Sequence, residues 1–168
     1  TAQRAFIGGG YGNKMHGIAG SYGSIVGGTS NEMYGTAFYN SIVGGVYNKI
    51  VGTLSVDGAI SYSSILGSVI TGGKLNKITE GFWGLIGNGR SNEIGESINQ
   101  NYYSTILNGQ NNRIISDVAW HYYGHILGGS GHTILSTAHS SAIIGATDLT
   151  AHTPSTTYLG GAHAHGKV

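Results

Sequence analysis

His163 and His165 stand two residues apart in the run Gly161-Ala162-His163-Ala164-His165-Gly166-Lys167-Val168. In an extended strand that spacing points both imidazoles to one face. Three copies meeting on a threefold axis would then gather six nitrogens, a donor set for an octahedral transition metal such as iron, zinc or nickel. The alternative is two exposed histidines at a chain end, and no cofactor is certain. The same run nearly spells a phosphate-binding loop, but it lacks the Ser or Thr that would hold magnesium and the helix that would follow. The chain has no Gly-x-Ser-x-Gly elbow and no His-Glu-x-x-His motif. Its seven carboxylates are Glu32, Asp57, Glu80, Glu93, Glu96, Asp117 and Asp148. Glycoside hydrolysis needs two of them facing each other across a cleft, and no spacing here sets up such a pair. The chain therefore reads as a non-enzyme.

Recognition chemistry is better represented. Between Ile78 and Ile126 the sequence carries Phe82, Trp83, Tyr102, Tyr103, Trp120, His121, Tyr122 and Tyr123. Aromatic rings with hydrogen-bonding edges offer contact area at low entropic cost and suit a saccharide or protein receptor. Phe82, Tyr102, Trp120, His121 and Tyr122 are the candidate receptor-binding residues; local corner packing is the competing reading. Seven of the eight histidines fall at or after His121, where they would respond to mild acid.

The elements that must hold these residues come from an internal repeat. Ser24-Ile25-Val26-Gly27-Gly28 runs into Asn31-Glu32-Met33, Ser41-Ile42-Val43-Gly44-Gly45 into Asn48-Lys49-Ile50, Thr105-Ile106-Leu107-Asn108-Gly109 into Asn112-Arg113-Ile114, and His125-Ile126-Leu127-Gly128-Gly129 into His132-Thr133-Ile134. The key aliphatic, taken as position 0, falls at Ile7, Ile25, Ile42, Ile65, Ile86, Ile106, Ile126 and Ile143, and its last place is held by Tyr158. The longest intervals flank Ile65, whose unit carries an extra Val69-Ile70-Thr71-Gly72-Gly73. Each unit is too short for a helix pair and is bounded by Gly-rich corners. The fold expected is all-β: a β-solenoid (parallel β-roll or β-helix) of about eight to nine short coils, forming one domain over residues 1–168.

Side-chain parity adds a constraint. Positions 0 and +1 are both apolar in nearly every unit, yet a strand sends successive residues to opposite faces. One face fills the coil; the other leaves an aliphatic stripe larger than a monomer ordinarily exposes. Position −3 shares that outer face and reads Tyr22, Tyr39, Tyr62, Trp83, Tyr103 and Tyr123. Coils stacked at roughly 4.8 Å would turn these into a ladder, read here as the packing seam of a homotrimer. Position +6 is Asn13, Asn31, Asn48, Asn92 and Asn112, with Asn76 after the extra segment and His132 as a substitute. Asn tolerates a left-handed corner and stacks as an amide ladder.

Bulk properties agree. Gly accounts for 31 of 168 residues, without a Gly-X-Y period and with a single proline, so the glycines punctuate packed structure. A net charge of +1, with Lys and Arg scattered singly, gives no nucleic-acid footprint. No apolar run approaches the roughly 20 residues of a membrane span. With no Cys there are no disulfides and no thiolate metal sites. The chain opens on Thr1 rather than Met and has no signal peptide, as expected of a fragment or processed product of a longer chain.

The Ser-Ile-Val-Gly-Gly-x-x-Asn-Lys-Ile pattern resembles the head repeats of trimeric autotransporter adhesins. It resembles still more the repeat arrays of tail fibres and spikes of bacterial viruses, over essentially the whole chain from Phe6 to about Leu159. The adhesin repeat is shorter and more uniform, which favours the viral family. The resemblance implies a homotrimer on the virion surface that attaches to a host cell-surface glycan or protein. A bacterial adhesin head at the cell surface is the first alternative, and a polysaccharide-depolymerising tailspike the second. It also implies that the Lys167-Val168 end follows removal of a self-cleaving trimerisation chaperone.

Overall fold

The computed structural model describes residues 4–16, 22–34, 37–52, 65–79, 81–95, 101–115 and 121–160. These form 22 strands of two or three residues, all paired in parallel. They build the three faces of a β-solenoid. The first face has nine strands, Phe6–Ile7 through Thr157–Leu159; the second has eight, Lys14–Met15 through Thr150–Ala151; the third has five, Ala37–Phe38 through His121–Tyr122. Among the described residues only five coils present all three faces, fewer than the eight to nine expected from the repeat.

Position 0 is the core. Ile25, Ile42, Ile70, Ile86, Ile106, Ile126 and Ile143 line the first face inside the coil with no solvent exposure. Met33, Ile50, Ile78, Ile94, Ile114 and Ile134 meet them from the second face, equally buried. Burying each such side chain contributes about 1.5–3 kcal/mol. Register corrects one assignment. Val69–Ile70 pairs with Ser41–Ile42 on one side and Leu85–Ile86 on the other, so Ile70, not Ile65, is the key residue of its coil. Ile65–Leu66 belongs to the third face, between Ala37–Phe38 and Gly81–Phe82. The segment that looked like an insertion is the regular unit, and the additional residues precede it.

Two rows of left-handed backbone turn the chain between faces. One lies at position −3: Arg4, Tyr22, Tyr39, Gly67, Trp83, Tyr103, Tyr123, Ser140 and Ser155, all with φ between 53° and 65°. The other lies one residue before the asparagine row, at Gly12, Ser30, Tyr47, Leu75, Ser91, Asn111, Gly131 and Asp148. The ladder asparagines are therefore not the left-handed residues, contrary to the sequence expectation. Between these rows sits the second glycine of each Gly-Gly or Asn-Gly pair. A Cβ on Gly28, Gly45, Gly73, Gly89 or Gly109 would lie 2.1–2.3 Å from a carbonyl oxygen of the next coil, so only glycine lets the coils approach. The first glycine at Gly27, Gly44 and Gly128 has open space around it, which is why Asn88 and Asn108 can stand in its place.

The asparagine side chains tie the coils together. Each Oδ1 accepts the backbone N–H of the asparagine in the next coil, at 3.0–3.1 Å from Asn13 through Asn92. Each Nδ2 donates to a carbonyl in its own coil and to one in the next; for Asn76 these are Gly72 at 2.9 Å and Gly89 at 3.1 Å. His132 ends the row. Its N–H donates to Asn112 Oδ1 at 3.0 Å, and its Nδ1 accepts the Leu149 N–H at 3.1 Å. Its Nε2 is buried without a partner.

Replacing Asn76 with Ala strands the carbonyl of Gly72 and the N–H of Asn92, while the Gly89 carbonyl keeps the Lys74 N–H. An unsatisfied buried polar group costs about 1–3 kcal/mol, so Asn76→Ala should lower unfolding free energy by about 2 kcal/mol or more in a urea titration. His132→Asn should act in the opposite sense, raising it by about 1 kcal/mol, because an amide satisfies what Nε2 does not. A destabilised His132→Asn would contradict the ladder account.

Candidate interaction surface

The outer side of the first face is where the parity argument places a seam. Val26, Val43, Leu107, Leu127, Ile144 and Leu159 at position +1 are all exposed, Leu159 by 67%. In the corrected coil this position is Thr71 rather than Leu66. Beside them stand the corner aromatics Tyr22, Tyr39, Trp83, Tyr103 and Tyr123, between 44% and 58% exposed. Left-handed backbone costs a non-glycine residue roughly 1–2 kcal/mol, and bulky residues seldom adopt it. Five aromatics therefore occupy a row whose backbone favours Gly or Asn, and each remains about half in solvent.

The row is a ladder, with one exchange of residue. Tyr22 stacks on Tyr39 with centroids 4.9 Å apart, and Tyr103 on Tyr123 at 5.3 Å. The Arg4 guanidinium covers the free side of Tyr22, 5.3 Å from its centroid. Between Tyr39 and Trp83 the corner residue is Gly67, with φ 65°, and not Tyr62, which lies outside the described residues. A Cβ on Gly67 would come within 2.4 Å of two Trp83 ring carbons. The indole occupies the space that a side chain at this rung would need.

A second column rises on the third face. Phe82, Tyr102 and Tyr122 stack at 4.9 Å and 4.9 Å, and His139 lies beyond Tyr122 at 5.9 Å. His139 Nδ1 also accepts the Tyr122 N–H at 3.3 Å. Burial holds the Tyr102 hydroxyl above the usual tyrosine range, and the neighbouring Tyr122 adds to that. Of the other receptor candidates, His121 sits in the strand His121–Tyr122 paired with Asn101–Tyr102, while Trp120 lies outside the described residues. So do His163 and His165. Among the described residues no group of three His, Cys, Asp or Glu could hold a metal.

Stacking determines what both columns can offer. A ring sandwiched at about 5 Å has both faces covered and presents only its edge and hydroxyl. A sugar ring docks on an open aromatic face, so the interior rungs serve as a ridge of edges and not as a saccharide platform.

The second face carries charge on its outer side. In register, Lys14, Glu32, Lys49, Lys77, Glu93 and Arg113 follow one another up the sheet. Lys49 pairs with Glu32 at 2.9 Å and Lys77 with Glu93 at 2.9 Å; Arg113 lies 3.7 Å from the other Glu93 oxygen. The Tyr34 hydroxyl donates to Glu32 and, ahead of Lys49, holds that carboxylate below its usual range. Both carboxylates are thus engaged in structural contacts. Glu80, Glu96, Asp57 and Asp117 lie outside the described residues.

No protein-family model, curated protein sequence or solved structure matches the chain.

Gly67→Ala places a methyl group in the Trp83 ring and forces Ala into left-handed backbone. In a Trp120→Phe background, which leaves Trp83 as the sole indole, it should shift the tryptophan emission maximum and cost about 1–3 kcal/mol. An unchanged emission spectrum would show that the indole does not fill this rung.

Proposed function

We propose that the chain is a non-enzymatic shaft and attachment segment of a virion tail fibre, assembled as a homotrimer. The supporting observation is the outer side of the first face. An aliphatic row and a strained aromatic row run side by side up the rod, both half in solvent. Monomers seldom leave so long an apolar strip uncovered, even one interrupted at Thr71 and Gly87, and half-burial and two stacked ring pairs offset only part of the backbone cost of the aromatic corners. A closed threefold arrangement would cover the strip on every copy with one self-consistent contact. The repeat motif that resembles viral fibre arrays gives the biological setting. Attachment to a host-surface glycan or protein would then fall to surfaces the seam leaves open.

Mass and adsorption test this reading together. Native mass measurement should give three times the 17.4 kDa chain. Replacing Tyr103 and Tyr123 by Ser, the residue that holds this corner at positions 140 and 155, should release monomers that keep the β circular dichroism signal. Labelled trimer should adsorb to some members of a panel of bacterial cells, and protease or periodate treatment of those cells should separate protein from glycan receptors. A wild-type chain that stays monomeric and adsorbs to no cell would sink the proposal.

A further inference from the structure

In the sequence, Lys74, Lys77, Arg90 and Arg113 are spread over 40 residues and look scattered. Stacking gathers them. Lys74 and Arg90 are direct bridge partners on adjacent coils, at the corner between the first and second faces. Lys77 and Arg113 stand on the second face just past that corner, on either side of Glu93. Four cations thus meet one described carboxylate, and Glu93 is already engaged by two of them. Glu80 and Glu96, which come after these strands in sequence, lie outside the described residues.

Lys74 and Arg90 are both exposed and form no ion pair among the described residues. Like charges directly opposed on neighbouring strands repel each other, so this rung is unfavourable unless an anion sits against it. The next residue in the row is Gln110, and the exposed Asn88 and Asn108 lie on the same corner. Each of those asparagines uses its Oδ1 to accept the following glycine N–H, at 2.8 and 2.7 Å, which leaves the amide NH2 as a donor toward solvent.

We infer that this corner binds a linear anionic polysaccharide, with Lys74 and Arg90 taking sulfate or carboxylate groups and the amides of Asn88, Asn108 and Gln110 taking hydroxyls. The inference rests on the attachment reading above and names its ligand class. A polysaccharide fits better than a nucleic acid because the patch spans only a few rungs in a chain of net charge +1. Charge-driven contact of this kind weakens as salt rises.

The test uses the intact protein with dextran sulfate, neutral dextran of equal length and a single-stranded thymidine oligonucleotide. Dextran sulfate should bind with an affinity that falls as salt is raised, and neutral dextran should not bind. The double variant Lys74→Ala/Arg90→Ala should lose at least tenfold in affinity at a melting temperature no lower than that of the wild type, because it removes the opposed charges. Lys14→Ala, on the second face three coils below Lys77, should stay within about twofold of wild type. A double variant that binds like wild type overturns the site, and an oligonucleotide that binds as tightly as dextran sulfate overturns the ligand class. Adsorption to cells without any affinity for dextran sulfate overturns this inference and leaves attachment standing. Dextran sulfate binding through Lys74 and Arg90 without adsorption to any cell does the reverse.

Discussion

Each ladder asparagine from Asn31 to Asn112 bonds three backbone groups, one of them the buried N–H of the next residue in the row. A solenoid coil here takes 15 to 20 residues, 28 in the step from Ile42 to Ile70, and its strands of two or three residues are too short for a sheet ladder alone to fix one coil on the next. The corner between the first and second faces is where the backbone groups escape the sheet pattern, and the amide of Asn31, Asn48, Asn76, Asn92 or Asn112 takes them up in turn. Its Oδ1 reaches one coil forward while its Nδ2 joins both coils, so the polar contact fixes the same register that the buried isoleucines select. The close approach that this requires is what excludes a side chain from Gly28, Gly45, Gly73, Gly89 and Gly109.

Fixed register has a functional consequence. It converts residues far apart in the chain into neighbours spaced by one coil, and it does so separately for each row. The rows then differ in character: isoleucine inside, charges of both signs on the second face, aromatic edges at one corner, and a cationic pair at another. A short repeat can therefore carry several distinct surfaces on one small cross-section, each extended along the rod.

What could be read from the sequence follows the same division. Inward aliphatics, exposed +1 residues, the asparagine row and the aromatic row all repeat at fixed offsets from position 0, so the pattern alone places them. The pattern misled where two candidates for position 0 lay close together. Ser64-Ile65-Leu66-Gly67 matches the motif as well as Ser68-Val69-Ile70 does, and only pairing with Ile42 and Ile86 decides between them. Tyr62 fell in the ladder for that reason, whereas Gly67 holds the rung. The Lys74–Arg90 pair was hidden by the same slip: both residues stand at +4, but only when Ile70 rather than Ile65 is position 0.

The left-handed aromatics raise a question of cause. Ser140 and Ser155 show that this corner can be turned without a ring, and Gly67 shows that it can be turned without strain. Nothing in the backbone of a single chain asks for Tyr22, Tyr39, Trp83, Tyr103 or Tyr123. Stacking of the two pairs Tyr22–Tyr39 and Tyr103–Tyr123 returns about 0.5–1.5 kcal/mol each, less than the roughly 1–2 kcal/mol that left-handed backbone costs each of the five residues. By these two terms the row is a net cost within one chain, and half of each ring is still wet. A row that contributes so little to its own fold, yet resumes on both sides of Gly67 beside an exposed aliphatic stripe, has its physical justification in what covers it.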